Sequence, residues 1–350
     1  MRSAVSHVGL KWNVALALVV GALVLASCAT PKAQSTSAVH LSGTPALSFA
    51  TPLTSVACTR NDVCVAIGSS ATGLGPTSVV EFATPHDHWF NVTLPTSSSI
   101  LLTSVSCTGS QCLLAGSRPG SDVLWLFDSH THALSILTPP SGGIGASAVT
   151  CNQVVCALVD TGTNGVPRFL TSTDAGATWS TSEPLHFAKS DVIRDFTCPT
   201  TSSCALGLVT LSHQFSLYLT SNAGASWQYR PVPSSWTTLT SLSCTAGACD
   251  ALASTSSDSL LVVSKNFATT WTTTKLAFSA SAAACTQLRR CVVVGQNSNN
   301  ARMTTLDRST PSVVKLKYVP SPLLDVACGT KVCAAIAITT LLSFPFDSTS

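Results

Sequence analysis

The feature that most constrains this sequence is a short cysteine hairpin that occurs seven times. Its clearest copy reads LTSVSCTGSQCLLAG, from Leu102 to Gly116. Successive first cysteines lie 49, 44, 47, 46, 41 and 43 residues apart. A regular period of this length indicates a repeat architecture whose units are too small to bury a core alone. The seven pairs are Cys58/Cys64, Cys107/Cys112, Cys151/Cys156, Cys198/Cys204, Cys244/Cys249, Cys285/Cys291 and Cys328/Cys333.

The fifteen cysteines divide into these seven pairs and one remaining residue, Cys28. Even, regularly spaced pairs in an exported chain predict disulfides. Zinc is the alternative, but it needs four converging ligands, and no histidine stands at a matching position beside the pairs. We therefore predict seven disulfides and no metal site. No phosphate loop or other cofactor motif is present, so we expect no cofactor.

The N-terminus predicts export. Arg2 and Lys11 precede an apolar run from Val14 to Ala26, which is the layout of a secretory signal and too short for a transmembrane helix. The run ends in Leu-Ala-Ser-Cys28, which resembles a bacterial lipobox. This resemblance implies cleavage before Cys28 and attachment of membrane lipid to its sulfur. An ordinary signal peptide with an incidental cysteine is the alternative.

We predict a signal peptide over residues 1–27, a flexible polar tether over 28–40 and a folded body over 41–350. The protein is then lipid-anchored on the extracytoplasmic side of the cell membrane. Hydrophobic residues make up 45% of the chain and charged residues 9%, which is not a disordered composition. After loss of Arg2 and Lys11, 16 basic and 15 acidic residues remain, a net charge of +1. Without a basic patch, we expect no nucleic acid partner.

Each repeat can be divided into four strands, A to D. Strand A precedes the first cysteine and strand B follows the second; strand C comes after a Gly/Ser-rich loop, and strand D begins near a tryptophan. Short runs of β-branched residues broken by Gly, Pro, Asn and Ser are typical of strands and turns, and TSVSC, CLLAG, FSLYLTS and WTTTKLAF are examples. Four-stranded units of about 40–50 residues that stack radially make a β-propeller. We predict an all-β, seven-bladed β-propeller of antiparallel blades.

Strand A also predicts how the blades pack and how the ring closes. An apolar side chain stands two residues before each first cysteine, between mostly small neighbours, as suits strands that converge on an axis. The last repeat has room for strands A, B and C only, whereas an additional strand, Ala46–Ala50, precedes the first repeat. We predict that this N-terminal strand completes blade seven and removes the exposed edges. The apolar residues are Val56, Val105, Val149, Phe196, Leu242, Ala283 and Val326.

A second repeated element lies at the turn between strands C and D. In three copies an Asp or Asn is followed five residues later by a Trp. The Asp or Asn can form hydrogen bonds in the turn, a Gly two residues after it in two of the copies allows positive φ, and the Trp provides apolar surface. They resemble the Asp-box (BNR) repeat of sialidase-type propellers, and the cysteine hairpins resemble those of secreted actinobacterial propellers. In the Asp-box family this turn is structural. The residues are Ser172, Asp174, Gly176, Thr178 and Trp179; Asn222, Gly224 and Trp227; and Asn266 and Trp271.

The resemblance raises sialidase activity as one hypothesis. That family clamps a carboxylate with three arginines and uses a tyrosine activated by glutamate, with an aspartate as acid. Here Tyr218, Tyr229 and Tyr318 fall on predicted strands C or D, and only Arg194 and Asp195 bring charge together onto an inner strand. We therefore predict no catalytic residues, and a non-catalytic binding or scaffolding module at the cell surface. A diverged sialidase-type hydrolase and a propeller resembling the photosystem II assembly factors are the alternatives.

The turns of a propeller predict where a ligand binds. A–B and C–D turns share one face, which here carries the cysteine hairpins and the Asp-box turns. The opposite face carries the longer and more variable B–C and D–A loops, and recognition tends to use such loops on a rigid scaffold. We predict that an unknown protein or glycan binds there, with six candidate residues: Arg118, Asp160, His186, His213, Trp236 and Arg302.

Overall fold

The structure is a computed structural model that describes thirteen segments of the chain, all within one compact unit over residues 38–350. In this described part the chain forms 28 strands, and it has no helix long and apolar enough to cross a bilayer. The predicted signal and tether, including Cys28, lie outside it. The described residues are 47–48, 51–72, 75–84, 89–95, 99–152, 155–181, 191–209, 215–244, 247–285, 290–298, 300–307, 310–315 and 322–345.

The strands form seven antiparallel sheets of four, arranged as the blades of a propeller. The A strands of neighbouring blades contact one another around the ring, and blade seven contacts blade one. In order from A to D, blade one contains β2 (Leu53–Cys58), β3 (Cys64–Thr72), β4 (Gly75–Ala83) and β5 (Trp89–Asn91); blade two β6 (Leu101–Thr108), β7 (Gln111–Arg118), β8 (Ser121–Asp128) and β9 (Ala133–Leu137); blade three β10 (Gly143–Asn152), β11 (Val155–Gly162), β12 (Pro167–Ser172) and β13 (Ser180–Thr181); and blade four β14 (Val192–Thr197), β15 (Cys204–Val209), β16 (Phe215–Thr220) and β17 (Gln228–Arg230). Blade five contains β18 (Thr238–Cys244), β19 (Cys249–Ser254), β20 (Ser259–Ser264) and β21 (Thr272–Lys275); blade six β22 (Ser279–Cys285), β23 (Arg290–Asn297), β24 (Asn300–Asp307) and β25 (Thr310–Lys315); and blade seven β26 (Leu323–Cys328), β27 (Val332–Ala337), β28 (Thr340–Pro345) and β1 (Leu47–Ser48).

The last of these sheets confirms the predicted ring closure. Strand β1 is the outer strand of blade seven and pairs with β28 through Leu47 opposite Leu341 and Ser48 opposite Thr340. The two ends of the chain therefore share one sheet, and the seven-bladed prediction is confirmed together with its N-terminal closing strand. Of the predicted closing segment 46–50, only these two residues are described.

The hydrophobic core is divided among the seams between blades. Seven clusters of buried apolar side chains are present, and each joins two neighbouring blades. Strand B is buried on both faces, as Val65, Ala66 and Ile67 show with no measurable exposure. This explains why the B strands are continuous apolar runs rather than alternating ones. Six of the seven apolar residues predicted to pack from strand A are buried, and the exception, Ala283, is half-buried.

All seven predicted disulfides are formed, each within the A–B hairpin of one blade. Six of the pairs also stand directly opposite one another in the strand register. The zinc alternative is excluded for these cysteines, because a sulfur in a disulfide is not available as a thiolate ligand.

Strand B includes the second cysteine of each hairpin, as the predicted segment CLLAG implies. Cys112, Cys156 and Cys333, for example, are the second residues of β7, β11 and β27. Their exposures are 0%, 1% and 0%, so they belong to the core and not to a surface turn. Strand B already pairs with strand A before the cysteine is reached, as with Gln111 opposite Thr108 in blade two. These three cysteines are therefore structural residues that no ligand can contact.

Candidate functional site

The two faces of the ring carry different structures. The C–D turn of blade four donates a hydrogen bond from Ala223 N to Ser202 O in the A–B turn of the same blade, at 2.8 Å. A C–D turn and the disulfide hairpin therefore lie on one face, which we call the disulfide face. The opposite face, built from the B–C and D–A connections, we call the loop face.

On the disulfide face, the turn after β12 is held by its own side chains. The Asp174 carboxylate accepts hydrogen bonds from Thr178 N at 2.8 Å, Thr178 Oγ1 at 2.5 Å and Ser172 Oγ at 2.7 Å. These bonds, those from Thr178 first, lower the pKa of Asp174 to about 2. Gly176 adopts a φ of 90°. The carboxylate is thus used within the turn.

Asparagine replaces this aspartate in the equivalent turns of blades four and five without loss of the pattern. Asn222 Oδ1 accepts from Ser226 N at 2.9 Å, and Asn266 Oδ1 accepts from Thr270 N at 2.8 Å. Each amide nitrogen then donates to the hydroxyl of the same Ser or Thr. A neutral side chain therefore makes the same bonds, so the turn needs an acceptor and not a charge. In the last of these turns, Trp271 packs in the core between blades four and five.

A central channel runs between the seven A strands. A cavity of about 400 Å³ is lined by residues one to three positions before the first cysteine of every blade, and by that cysteine itself in blades one, two, six and seven. Most of the lining residues are Ser, Ala or Val. Two of them, Asp195 of blade four and Asp325 of blade seven, are carboxylic acids at the same position, three residues before the first cysteine. The rest of the lining is uncharged, with Phe196 and Leu242 as its largest side chains.

Side chains at this position connect one blade to the next. Asp195 Oδ2 accepts a hydrogen bond from Leu242 N at 2.7 Å, and Asp325 Oδ2 accepts one from Val56 N at 3.0 Å. Ser104 and Ser241 make the same contact to the following blade through their hydroxyl oxygens. The two aspartates are therefore acceptors that join blades four to five and seven to one.

Burial in the ring changes the protonation of both acids. It raises the pKa of Asp195 to about 7 and that of Asp325 to about 6, against the amide hydrogen bonds, which lower them. The charge of Asp325 adds to the effect on Asp195. Each carboxyl faces the cavity on one side, so part of its surface is exposed there and the residue is half-buried. Both residues nevertheless lie in the interior of the ring.

Every A strand contains a β-bulge, and in six blades it falls four residues before the first cysteine. In blades one, two and three the bulged residue is Thr54, Thr103 or Ser147, whose hydroxyl donates to a carbonyl oxygen of strand B. In blades four and seven it is Arg194 and Leu324, which are exposed. A bulge re-aims a side chain, and in these two blades the bulge carries an exposed arginine or leucine where blades one to three have a hydroxyl.

Exposed aliphatic side chains lie at the loop face in blades two, three, four and seven. Five of the eight exposed large hydrophobic residues of the described part lie at loop-face ends of strands, and the other three lie on the outer D strands. We call these five residues and Arg194 the channel mouth. The five are Leu101 (36% exposed), Ile144 (38%), Val192 (45%), Leu324 (40%) and Ile338 (47%).

The six predicted binding residues do not share one environment in the structure. Arg118 is exposed on the loop face, where its Nε donates to Ser121 Oγ at 2.8 Å, and Arg302 is half-buried on β24. His186 and His213 lie outside the described residues.

Two of the six predictions of binding residues are wrong. Trp236 is 5% exposed and packs edge-on to Trp271 at 5.8 Å in the core between blades four and five, because the turn at Pro233 folds its ring inward.

The second correction is Asp160, which is 1% exposed and bonded to Arg168 instead of facing solvent. Arg168 Nε donates to Asp160 Oδ1 at 2.7 Å, and its Nη2 donates to Asp160 Oδ2 at 2.5 Å. Asp122 of the neighbouring blade is also buried beside them, at 2% exposure. These three residues form a charged cluster between blades two and three that no sequence motif indicated.

Comparison with known proteins shows the fold but no family. No protein-family model and no curated protein sequence matches the chain. Among solved structures, the chain is similar to YCF48 bound to D1 peptide, with a TM-score of 0.62 at 14% identity over 87% of this chain and 97% of that one. It is also similar to a catalytically inactive virginiamycin B lyase from Staphylococcus aureus with quinupristin (0.63, 10%, 87% and 99%). A GH74 enzyme from Niastella koreensis matches over 85% of this chain and 52% of that one (0.60, 9%).

Proposed function

We propose that the chain is a non-catalytic binding module whose ligand site is the channel mouth on the loop face. The observation that carries this proposal is the segregation of exposed aliphatic side chains. Five of the eight lie at the loop face, and none of the eight lies in an A–B or C–D turn of the described part. Exposed apolar surface that is concentrated in one place is typical of interaction sites.

The mouth favours a particular chemistry of partner. Arg194 is the only Lys or Arg on the seven described A strands, and it is exposed two residues after the exposed Val192. An arginine beside apolar surface suits a carboxylate carried on an apolar body, because the guanidinium binds carboxylates through two parallel hydrogen bonds. We infer that the ligand is a peptide segment that combines aliphatic side chains with an acidic group. A glycan is less favoured, since aliphatic side chains offer its hydroxyls no hydrogen bonds.

The carboxyl groups of the described part argue against a hydrolase. Asp122 and Asp160 are almost fully buried, so a substrate cannot reach them, and Asp195 and Asp325 are held by backbone amides of the next blade. Tyr218 and Tyr229 contact each other on strands C and D of blade four, away from the channel. A diverged sialidase-type hydrolase remains the second candidate, because virginiamycin B lyase and GH74 share the propeller fold.

The similar structures also support a protein partner. YCF48 was solved with the D1 peptide, and a chain of the mitotic checkpoint complex shares the fold with a TM-score of 0.64. Both show that this architecture can serve protein recognition. The photosystem II assembly-factor alternative therefore supports the same kind of function, a propeller that binds a protein segment.

Peptide display tests the proposal. Random dodecapeptides on phage are selected on immobilised Cys28→Ser protein, and we expect the enriched peptides to combine aliphatic with acidic residues. Arg194→Gln and Leu324→Ser should each weaken binding of a selected peptide at least about tenfold, the size of a central contact at an interface. Tyr229→Ser, an exposed residue on an outer strand, and Asp174→Ala, on the disulfide face, are the controls and should leave affinity unchanged.

Two outcomes oppose this function. Selected peptides that lose affinity with the control variants but keep it with Arg194→Gln place the site elsewhere. Failure to enrich any peptide, together with saccharide binding on a glycan array, replaces a protein partner with a glycan.

We also propose that the module is held on the membrane by lipid on Cys28. The lipobox-like sequence and the odd cysteine support this, since all fourteen others are in disulfides. Cys28→Ala should move the protein from the membrane fraction to the soluble fraction, or stop its processing, because multiple acyl chains are what make such anchoring stable. Fractionation and intact mass spectrometry measure this. A Cys28→Ala protein that stays in the membrane fraction at the wild-type mass rules the anchor out.

A further inference from the structure

Blades two and three meet at a buried pair of carboxyl groups near the loop face. Asp122 is the second residue of β8 and Asp160 lies on β11, with 2% and 1% of their surfaces exposed. Asp160 is bonded to Arg168 through both oxygens, whereas no donor in the described part lies in hydrogen-bond geometry with either oxygen of Asp122. A buried charge without a partner is strongly unfavourable, so the state of Asp122 requires an explanation.

The position of Gly143 shows how close the two acids are. A Cβ added to this glycine would lie 1.8 Å from Asp122 Oδ2 and 2.7 Å from Asp160 Oδ2. Both oxygens therefore converge on the same point above the backbone, and the glycine leaves the room for them. Two ionised carboxylates are both acceptors and repel each other, but a protonated acid can donate to a carboxylate.

The surroundings favour that shared proton. Burial first, then the hydrogen bond and charge of Asp160, raise the pKa of Asp122 to about 7, while the charge of Arg168 and the nearby amide of Gly145 lower it. Arg168 and Asp160 are the charged groups that face Asp122. Arg118 on the adjacent β7 is exposed and bonded to Ser121, and Asp128 lies at the other end of β8.

The same cluster holds the segment that leads to the channel mouth. Arg168 Nη1 donates to Ser141 O at 2.9 Å, and Thr163 N donates to Gly142 O at 3.1 Å. Gly142 has a φ of 78°, and a Cβ there would stand 3.1 Å from Arg168 Nη1. Residues 141–143 thus rest on the arginine and the two acids, and Ile144 of the mouth follows them directly.

We propose that Asp122 and Asp160 share one proton that latches residues 141–144 onto blade three, and that loss of this proton releases the segment and weakens ligand binding at the mouth. The latch itself rests on the cluster alone; its effect on binding rests on the proposed function. The closed form holds the proton more strongly than the open form does. The latch is therefore closed at acidic pH, and its opening constant rises by about tenfold per pH unit between the ordinary pKa of an aspartate, 3.8, and about 7, above which it no longer changes.

Hydrogen exchange followed by mass spectrometry tests the latch without a ligand. Between about pH 5.5 and about pH 8.5, after correction for the intrinsic rate, protection of residues 141–145 should fall at least about tenfold. In Asp122→Asn the amide replaces the protonated acid and can donate to Asp160, so protection should become independent of pH. Asp258→Asn, at an exposed ion pair with Lys275, is the control and should behave like the wild type.

Equal protection of this segment at both pH values in the wild type overturns the latch. So does an Asp122→Asn protein with the wild-type pH dependence. If Asp122→Asn does not fold, infrared spectroscopy of the wild type decides: the band of a protonated buried carboxyl must disappear over the same pH range. Failure of the latch leaves peptide binding at the mouth intact, whereas failure of the proposed function leaves the pH-dependent exchange intact.

Discussion

Reduction of the seven disulfides should lower the free energy of unfolding by as much as about 15 kcal/mol. This equals or exceeds the whole free energy of unfolding of an ordinary domain, so we expect the reduced protein to unfold. Each bridge closes a loop of six or seven residues, and the chain-entropy model assigns about 2–2.5 kcal/mol to such a loop. The bridges act within blades, so they favour each hairpin before the blades pack. Denaturant unfolding with and without reductant measures the loss.

The order of reduction should follow burial. In six blades the first cysteine is half-buried and open to attack, whereas second cysteines such as Cys112, Cys156 and Cys333 are fully buried. In blade four both Cys198 and Cys204 are almost fully buried, at 2% and 1% exposure. We expect this bridge to be the last reduced in the native protein.

A single bridge provides the matched control. Replacing the pair Cys107/Cys112 with alanine should cost about 2 kcal/mol. Alkylation of the denatured, unreduced protein should modify none of the fourteen cysteines. Several free thiols there would contradict the assignment of seven disulfides.

Asp62→Ala should destabilise the protein by about 2–4 kcal/mol, because it removes the acceptor that joins blade one to blade seven. Asp62 lies in the A–B turn of blade one, 8% exposed, and accepts hydrogen bonds from Lys331 N at 2.7 Å and Val332 N at 3.1 Å. Its φ of 63° is a conformation that aspartate and asparagine adopt at a lower cost than alanine does. Asp62→Asn keeps both an acceptor and that conformation, so it should cost less than about 1 kcal/mol.

The same contact can be broken from the other blade. A Cβ on Gly329 would stand 2.5 Å from Asp62 Oδ1 and 2.8 Å from Thr59 O, so Gly329→Ala should destabilise the seam by a similar amount. Because both changes act on one contact, the double variant should cost less than the sum of the two. Denaturant unfolding gives these values, and hydrogen exchange of β2 and β26 locates the effect. Additive costs, or a stable Asp62→Ala protein, would show that the seam does not depend on this turn.

The architecture could be predicted from the sequence because it depends on spacing. The intervals between cysteines set the number of blades, and the additional strand before the first repeat indicated the closure seen between Leu47 and Leu341. The disulfides follow from the same regularity. Each of these features repeats or completes a repeat, so one chain contains seven examples of the same pattern.

The candidate site was harder to predict because it depends on departures from the repeat. Arg194 and Asp195 stood out as charges on an inner strand, and Asp325 could have been found at the same distance before its cysteine. That Arg194 sits on a bulge required the strand register. The loop pattern predicts that Trp236 and Asp160 are accessible, but tertiary packing buries both. Asp122 meets Asp160 only across two blades, a contact that no local pattern encodes.

The closing strand also sets the order in which the molecule can be completed. Leu47 is among the first residues of the folded body, yet its partner Leu341 lies almost at the other end, and Asp325 reaches Val56 across 269 residues of chain. The hairpins inside a blade are local and can form as soon as their residues are available, whereas contacts this distant in sequence are slow to form. The seam between blades seven and one is therefore the last to assemble, and β1 must wait unpaired until blade seven exists.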